Sequence, residues 1–122
     1  MTFIIPQTKT TPFAEFRQGN LIVKGKSVPL EQPAVYNIIN KKLSSYAKNP
    51  ENSTQIDFYL SEVNAISKKQ IVNILKLLEK LKKNGINVNV NWHCSPDNED
   101  IQDFGEICKT MCNLNFQLKN AE

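Results

Sequence analysis

Glycine-rich loops, cysteine pairs and histidine clusters are all missing from this chain. Its four glycines (Gly19, Gly25, Gly85 and Gly105) stand singly, so no loop can cradle a phosphate with consecutive backbone N–H groups. The one histidine, His93, has no serine or carboxylate beside it in sequence, which leaves a nucleophile–base pair unsupported; it reads as a partly exposed residue on the polar side of a strand. The three cysteines, Cys94, Cys108 and Cys112, contain no C-x-x-C pair. They read as thiols in a reducing compartment, and with His93 they match no zinc spacing. No apolar run approaches the roughly 20 residues of a membrane span, and Met1 to Pro6 is too short for a secretion signal. The 15 basic residues are spread over the chain without interleaved aromatics, and the net charge is only +3, which argues against a nucleic-acid surface. Asp97, Glu99, Asp100 and Asp103 crowd one helix start, whereas paired-carboxylate catalysis draws on two elements facing across a cleft. The expectation is a cytoplasmic single domain over residues 1–122 with no catalytic residue, cofactor or metal.

What the chain does have is centred on Ile56 to Trp92. Ile56, Phe58 and Leu60 alternate with Asp57, Tyr59 and Ser61, the period of a strand with one buried face. A helix is predicted to open at Ser67, with Ile71, Ile74, Leu75, Leu78 and Leu81 at i, i+3, i+4, i+7 and i+10 on one face. Gly85 follows its lysine-rich last turn as a left-handed cap. Ile86, Val88, Val90 and Trp92 then alternate with Asn87, Asn89, Asn91 and His93 as a second strand. Two strands joined by such a helix pair in parallel, and the loop and helix start between them form the first candidate for a functional site.

Around this centre, Phe13–Arg17 and Leu21–Lys24 read as a hairpin, after which Gly25 to Pro29 leaves the sheet. A helix begins near Pro33 and buries Val35, Ile38, Ile39, Leu43 and Tyr46. A third helix is capped by Ser95, with Pro96 in its first position and Ile101, Phe104, Cys108 and Met111 facing inward. Leu114, Phe116 and Leu118 alternate as a last strand. Because the strands keep a polar side, unlike the apolar strands of a sheet covered on both faces, the fold class is α/β (α+β): a mixed sheet with an N-terminal hairpin and about three helices mainly on one face.

Ser67-Lys68-Lys69-Gln70 has two readings. As a capping box, Ser67 stabilises the helix by about 1 kcal/mol. As a regulated phosphoacceptor, Ser67 would carry a phosphate facing free N–H groups and the positive end of the helix dipole.

Over most of its length the chain resembles the SiaC family of bacterial regulatory phosphoproteins. The matching positions are Thr11-Pro12, Phe16, Gly19, Gly25-Lys26-Ser27-Val28-Pro29 with Glu31, Tyr36, Leu43, Tyr46, Leu78-Glu79, Trp92, Asp97 to Asp100 and Gly105-Glu106. The resemblance implies a STAS-like fold of the anti-sigma-factor-antagonist type and a non-enzymatic partner-switching role in biofilm regulation. An anti-sigma-factor-type kinase would phosphorylate the protein and a PPM-type phosphatase would reverse this. The unphosphorylated form would bind a target such as a diguanylate cyclase, which sets cyclic-di-GMP. The family's switch motif Asn-Thr-Ser-Ser, with threonine as acceptor, corresponds to Asn64-Ala65-Ile66-Ser67, so Ala65 stands at the acceptor position without a hydroxyl. Lys42 replaces a tryptophan of the family, the aromatic residue before the switch motif is absent, and Leu30 reads as an insertion. Either Ser67 has taken over as acceptor, or the protein is a constitutive binder. The expected partner-binding surface is Asn64, Ala65, Ile66, Ser67, Lys68 and Lys69.

Overall fold

In a computed structural model, described here for residues 2–30 and 34–120, six strands form one sheet in the order β1-β2-β3-β4-β5-β6, so spatial order equals chain order. The elements are β1 (Thr2–Ile5), β2 (Phe13–Arg17), β3 (Asn20–Ser27), α1 (Ala34–Tyr46), β4 (Ser53–Val63), α2 (Ala65–Lys83), β5 (Asn87–Cys94), α3 (Glu99–Met111) and β6 (Asn115–Asn120). β1, β2 and β3 pair antiparallel, while β3 to β6 pair parallel. The mixed sheet and the predicted hairpin are both present. β1 is an addition: Thr2 to Ile5 lies against β2 as an edge strand, too short to declare itself by alternation.

One face of the sheet carries the core. Phe16, Leu21, Val23, Ile56, Phe58, Val90 and Trp92 are fully buried, and the helices close over them with Ile39, Leu43, Ile71, Ile74, Leu78 and Cys108. Every residue of the predicted α2 stripe is buried. The C-terminus of α2 is a Schellman turn, with Gly85 at φ +91 and bonds from Gly85 N to Lys82 O and from Ile86 N to Leu81 O. In α1 the buried stripe includes Tyr36, whereas Ile38, predicted to face inward, is 44% exposed. Met111 of α3 likewise faces out, 57% exposed. The expected helix start at Pro33 lies outside the described residues.

Two local predictions are corrected. The chain does not leave the sheet at Gly25: β3 stays paired to Ser27 because β4 takes up one extra residue, Ser61, between Leu60 opposite Gly25 and Glu62 opposite Lys26. Ser27 keeps the alternation of Leu21, Val23 and Gly25 and so faces the core. Helix α3 is capped by Asn98, whose Oδ1 accepts from Ile101 N at 3.3 Å. Ser95 caps nothing helical; its Oγ accepts from Asp97 N in the preceding turn. Asn98 prevails because its Nδ2 also donates to Ser61 O at 2.9 Å, tying the helix start to the end of β4.

Trp92 sits at the centre of the core, against Phe58, Phe104 and Phe116. Its Nε1 donates to Ile101 O at 2.9 Å. The indole lies so close to α3 that a Cβ on Gly105 would fall within 2.5 Å of Nε1. Replacing an interior helix glycine with alanine ordinarily stabilises by about 1 kcal/mol. Here Gly105→Ala is expected to destabilise by about 1–3 kcal/mol through overpacking, seen as a lower urea midpoint at unchanged m-value.

Candidate functional site

The start of α2 begins three residues earlier than Ser67. Asn64 is the N-cap, in extended conformation, and its Oδ1 accepts from Ser67 N at 3.0 Å. The capping box predicted from Ser67 to Gln70 does not form, and Gln70 Oε1 instead accepts from Asn40 Nδ2 of α1. Asparagine and serine cap about equally well. Asn64 is selected because its Nδ2 also donates to Pro29 O at 2.8 Å, while Asn64 N donates to Ser27 O at 3.2 Å. The segment after β3 and the start of α2 are thereby clamped together.

This places Ser67 in the first turn, facing inward and 0% exposed. Its hydroxyl donates to Ser27 O at 2.8 Å and lies 2.7 Å from Ser27 Oγ, which lies 2.5 Å from Tyr36 Oη. A carbonyl only accepts, so the Ser67 proton is committed to Ser27 O. The remaining protons then run in one direction, from Tyr36 Oη to Ser27 Oγ and from Ser27 Oγ to Ser67 Oγ. Burial pushes the Tyr36 hydroxyl above its usual 10.0, against a smaller downward pull from Ser27 and Ser67, so all three hydroxyls stay neutral.

Of the six residues expected at a partner surface, Ala65, Lys68 and Lys69 are exposed, Asn64 and Ile66 are half-buried, and Ser67 is enclosed. Lys68 Nζ lies 5.5 Å from the Phe104 ring centroid, bridging to α3. The first turn of α2 carries no acid, so the exposed part of this surface is cationic. Ser27 and Tyr36, which organise it from beneath, were missed in the sequence. In the sequence they enter only as positions that match the family.

The helix-free face carries a second arrangement. His93 does have a carboxylate partner: Asp57 Oδ1 lies 2.9 Å from its Nε2, with the two side chains 14% and 15% exposed. Asp57 also accepts from Asn91 Nδ2 at 3.1 Å and Gln55 Nε2 at 2.9 Å. The imidazole stacks on Tyr59 at 4.0 Å. Asp57 and His93 are 36 residues apart and meet because β4 and β5 pair in parallel, Asp57 opposite Asn91. Burial pushes the Asp57 carboxyl up, but the hydrogen bonds from Gln55, His93 and Asn91 outweigh it and hold the pKa below the usual 3.8. The thiols move the other way: burial raises Cys94, Cys108 and Cys112, with Cys108 reaching about 12, so none is a thiolate at neutral pH. Among the described residues, no three His, Cys, Asp or Glu side chains gather as for a metal ion, and no helix is long and apolar enough to cross a membrane.

Two predictions follow from these bonds. Ser67→Ala leaves the Ser27 hydroxyl without an acceptor inside the core and is expected to cost about 1–3 kcal/mol, read as a shift of the denaturation midpoint. Asp57 has a depressed folded-state pKa, so its stabilisation is fully present above pH about 4 and disappears as pH falls through that lower value. Asp57→Asn is therefore expected to flatten the acid limb of the stability–pH profile below about pH 4, measured by urea unfolding at stepped pH.

Comparison with known proteins matches both the sequence and the fold. The sequence profile described as SiaC family regulatory phosphoprotein matches residues 5–121. An uncharacterized protein of Pseudomonas aeruginosa strain UCBPP-PA14 is 25% identical over 117 residues, covering 94% of this chain and 93% of the relative. The crystal structure of apo-SiaC from Pseudomonas aeruginosa superposes with a TM-score of 0.88 at 23% identity, over 98% of each chain. The crystal structure of the diguanylate cyclase SiaD in complex with its activator SiaC, from the same organism, contains a chain that matches at a TM-score of 0.90 and 24% identity, over 98% of this chain and 99% of that one. The six-stranded sheet with three helices is thus the SiaC architecture, and the chain belongs to the SiaC family of regulatory phosphoproteins.

Proposed function

We propose that this protein is a non-catalytic cytoplasmic adaptor that binds and activates a diguanylate cyclase through the exposed face of Asn64 to Lys69, without a phosphoswitch at this helix start. The cyclase as target is supported by the complex formed by the structural relative SiaC with SiaD. The unswitched mode is carried by one observation: at the start of α2 the exposed residue, Ala65, has no hydroxyl, and the residue with a hydroxyl, Ser67, is fully enclosed.

A kinase must bring the acceptor oxygen against the γ-phosphate of ATP, and Ser67 Oγ is bonded inward to Ser27. Phosphorylation there would require the first turn of α2 to unwind, losing the Asn64 cap and the Ser27–Tyr36–Ser67 chain together. The kinase and phosphatase implied by the family resemblance would then act on an opened form. This second reading is favoured only by Ser67 being the one hydroxyl left in the motif.

The test uses the diguanylate cyclase encoded in the same genome. The parent protein is expected to bind it and raise cyclic-di-GMP synthesis. Ala65→Glu places a negative charge at the first helical position, where the helix dipole tolerates or favours it by about 0.5 kcal/mol. Stability is therefore expected to hold while binding weakens by about tenfold or more. Parental binding by Ala65→Glu would move the surface elsewhere on the molecule. Incubation with the neighbouring kinase and ATP, read by intact mass with site mapping, is expected to add no phosphate; a phosphate on Ser67 would overturn the unswitched mode.

A further inference from the structure

The ordered side chains on the helix-free face are not a by-product of core packing. Asp57, Tyr59 and His93 all lie outside the core cluster, yet Gln55, Asn91 and His93 converge on the Asp57 carboxylate and the His93 ring is stacked on Tyr59. A solvated strand face has no need of such order. The stack forms one wall of a cleft of about 490 Å³ toward the carboxyl ends of the parallel strands. Residues of four successive strands line it, Lys24, Tyr59, Ser61, His93 and Asn120, with Ser95 from the turn after β5.

The charge of the cleft is one-sided. Lys24 Nζ sits 5.9 Å from the Tyr59 centroid, giving a cross-strand row Lys24, Tyr59, His93 along the cleft; Lys119, the register neighbour of His93, lines a separate depression with Glu106. No carboxylate lines the cleft. Asp57, beneath the row, has its charge met by three hydrogen bonds. Asp97, Glu99 and Asp100 line a separate depression beyond Ser95 and Asn98, so the anionic end of a ligand is directed toward the Lys24 side.

We propose that this cleft is a binding site for a small oxyanion-bearing molecule, a phosphate ester or a carboxylate, held by Lys24 against the Tyr59–His93 wall. The hydroxyl of Ser61 and the amide of Asn120 complete the donor set. Ser61 stands three residues before Asn64, and its carbonyl receives the Asn98 amide. Occupancy is therefore positioned to bear on the starts of both α2 and α3, an input independent of phosphorylation.

The test is a titration of the isotope-labelled full chain with sodium phosphate, guanosine monophosphate and citrate in turn, at physiological ionic strength, followed by amide chemical shifts. Saturable shifts confined to Lys24, Tyr59 to Ser61, His93 to Ser95 and Asn120 are expected for at least one probe, with apparent Kd below about 1 mM. Tighter binding of the nucleotide than of phosphate assigns a phosphate ester; tighter binding of citrate assigns a carboxylate. Lys24→Ala alters only an exposed side chain and is expected to weaken binding about tenfold, whereas Lys69→Ala leaves it unchanged. Shifts that remain linear to about 10 mM, that follow the lysines of α2, or that Lys24→Ala does not alter would overturn the proposal.

Discussion

An indole N–H removed from water must find an acceptor, and a large part of this molecule's geometry follows from where Trp92 finds one. The Ile101 carbonyl takes that proton, which sets the axial position of α3 over the sheet. Gly105 lets the helix backbone approach the ring. With α3 so placed, Asn98 reaches the end of β4 and Lys68 reaches Phe104. The start of α2 is thus held from one side by α3 and from the other by the segment after β3.

The two helix starts use one solution. In each, an asparagine caps with its carbonyl oxygen and uses its amide to hold a backbone carbonyl at the end of a neighbouring segment, Pro29 for Asn64 and Ser61 for Asn98. A serine hydroxyl is shorter and has one proton, so it cannot span both distances. This explains why sequence reasoning assigned both caps to serines three residues away. Local cap preference ranks Ser and Asn together, and the tie is broken by a tertiary bond that local sequence does not contain.

Elsewhere, legibility followed periodicity. The α2 stripe, the β4 and β5 alternation and the Gly85 cap were readable because each repeats or terminates a pattern over many residues. β1 was not, since four residues give two periods of alternation at most. Ser27 was not, because Gly25 and Pro29 mark the segment as leaving the sheet, and the bulge that keeps β3 paired lies in its partner β4, at Ser61. The Asp57–His93 pair was invisible for a different reason: it depends on the relative register of two parallel strands, set by the length and packing of the helix between them. For the site, the position of the helix start was legible to within three residues. Which hydroxyl faces inward was not, because that depends on the helix phase fixed by Asn64.

The identity of spatial and chain order in the sheet bears on how the protein is made. Each strand docks beside the one synthesised just before it, so pairing never waits for a distant segment and loop-closure costs stay modest for a partly parallel sheet. The sheet can grow from its N-terminal edge as the chain emerges. The exposed edge at any moment is the most recent strand, and the most hazardous stage comes before β6 arrives, when the apolar β5 edge around Val88, Val90 and Trp92 is unpaired. Slow synthesis or truncation between β5 and β6 would present that edge to other chains, whereas interruption after β6 would leave an edge of Asn115, Gln117 and Lys119, which discourages further addition.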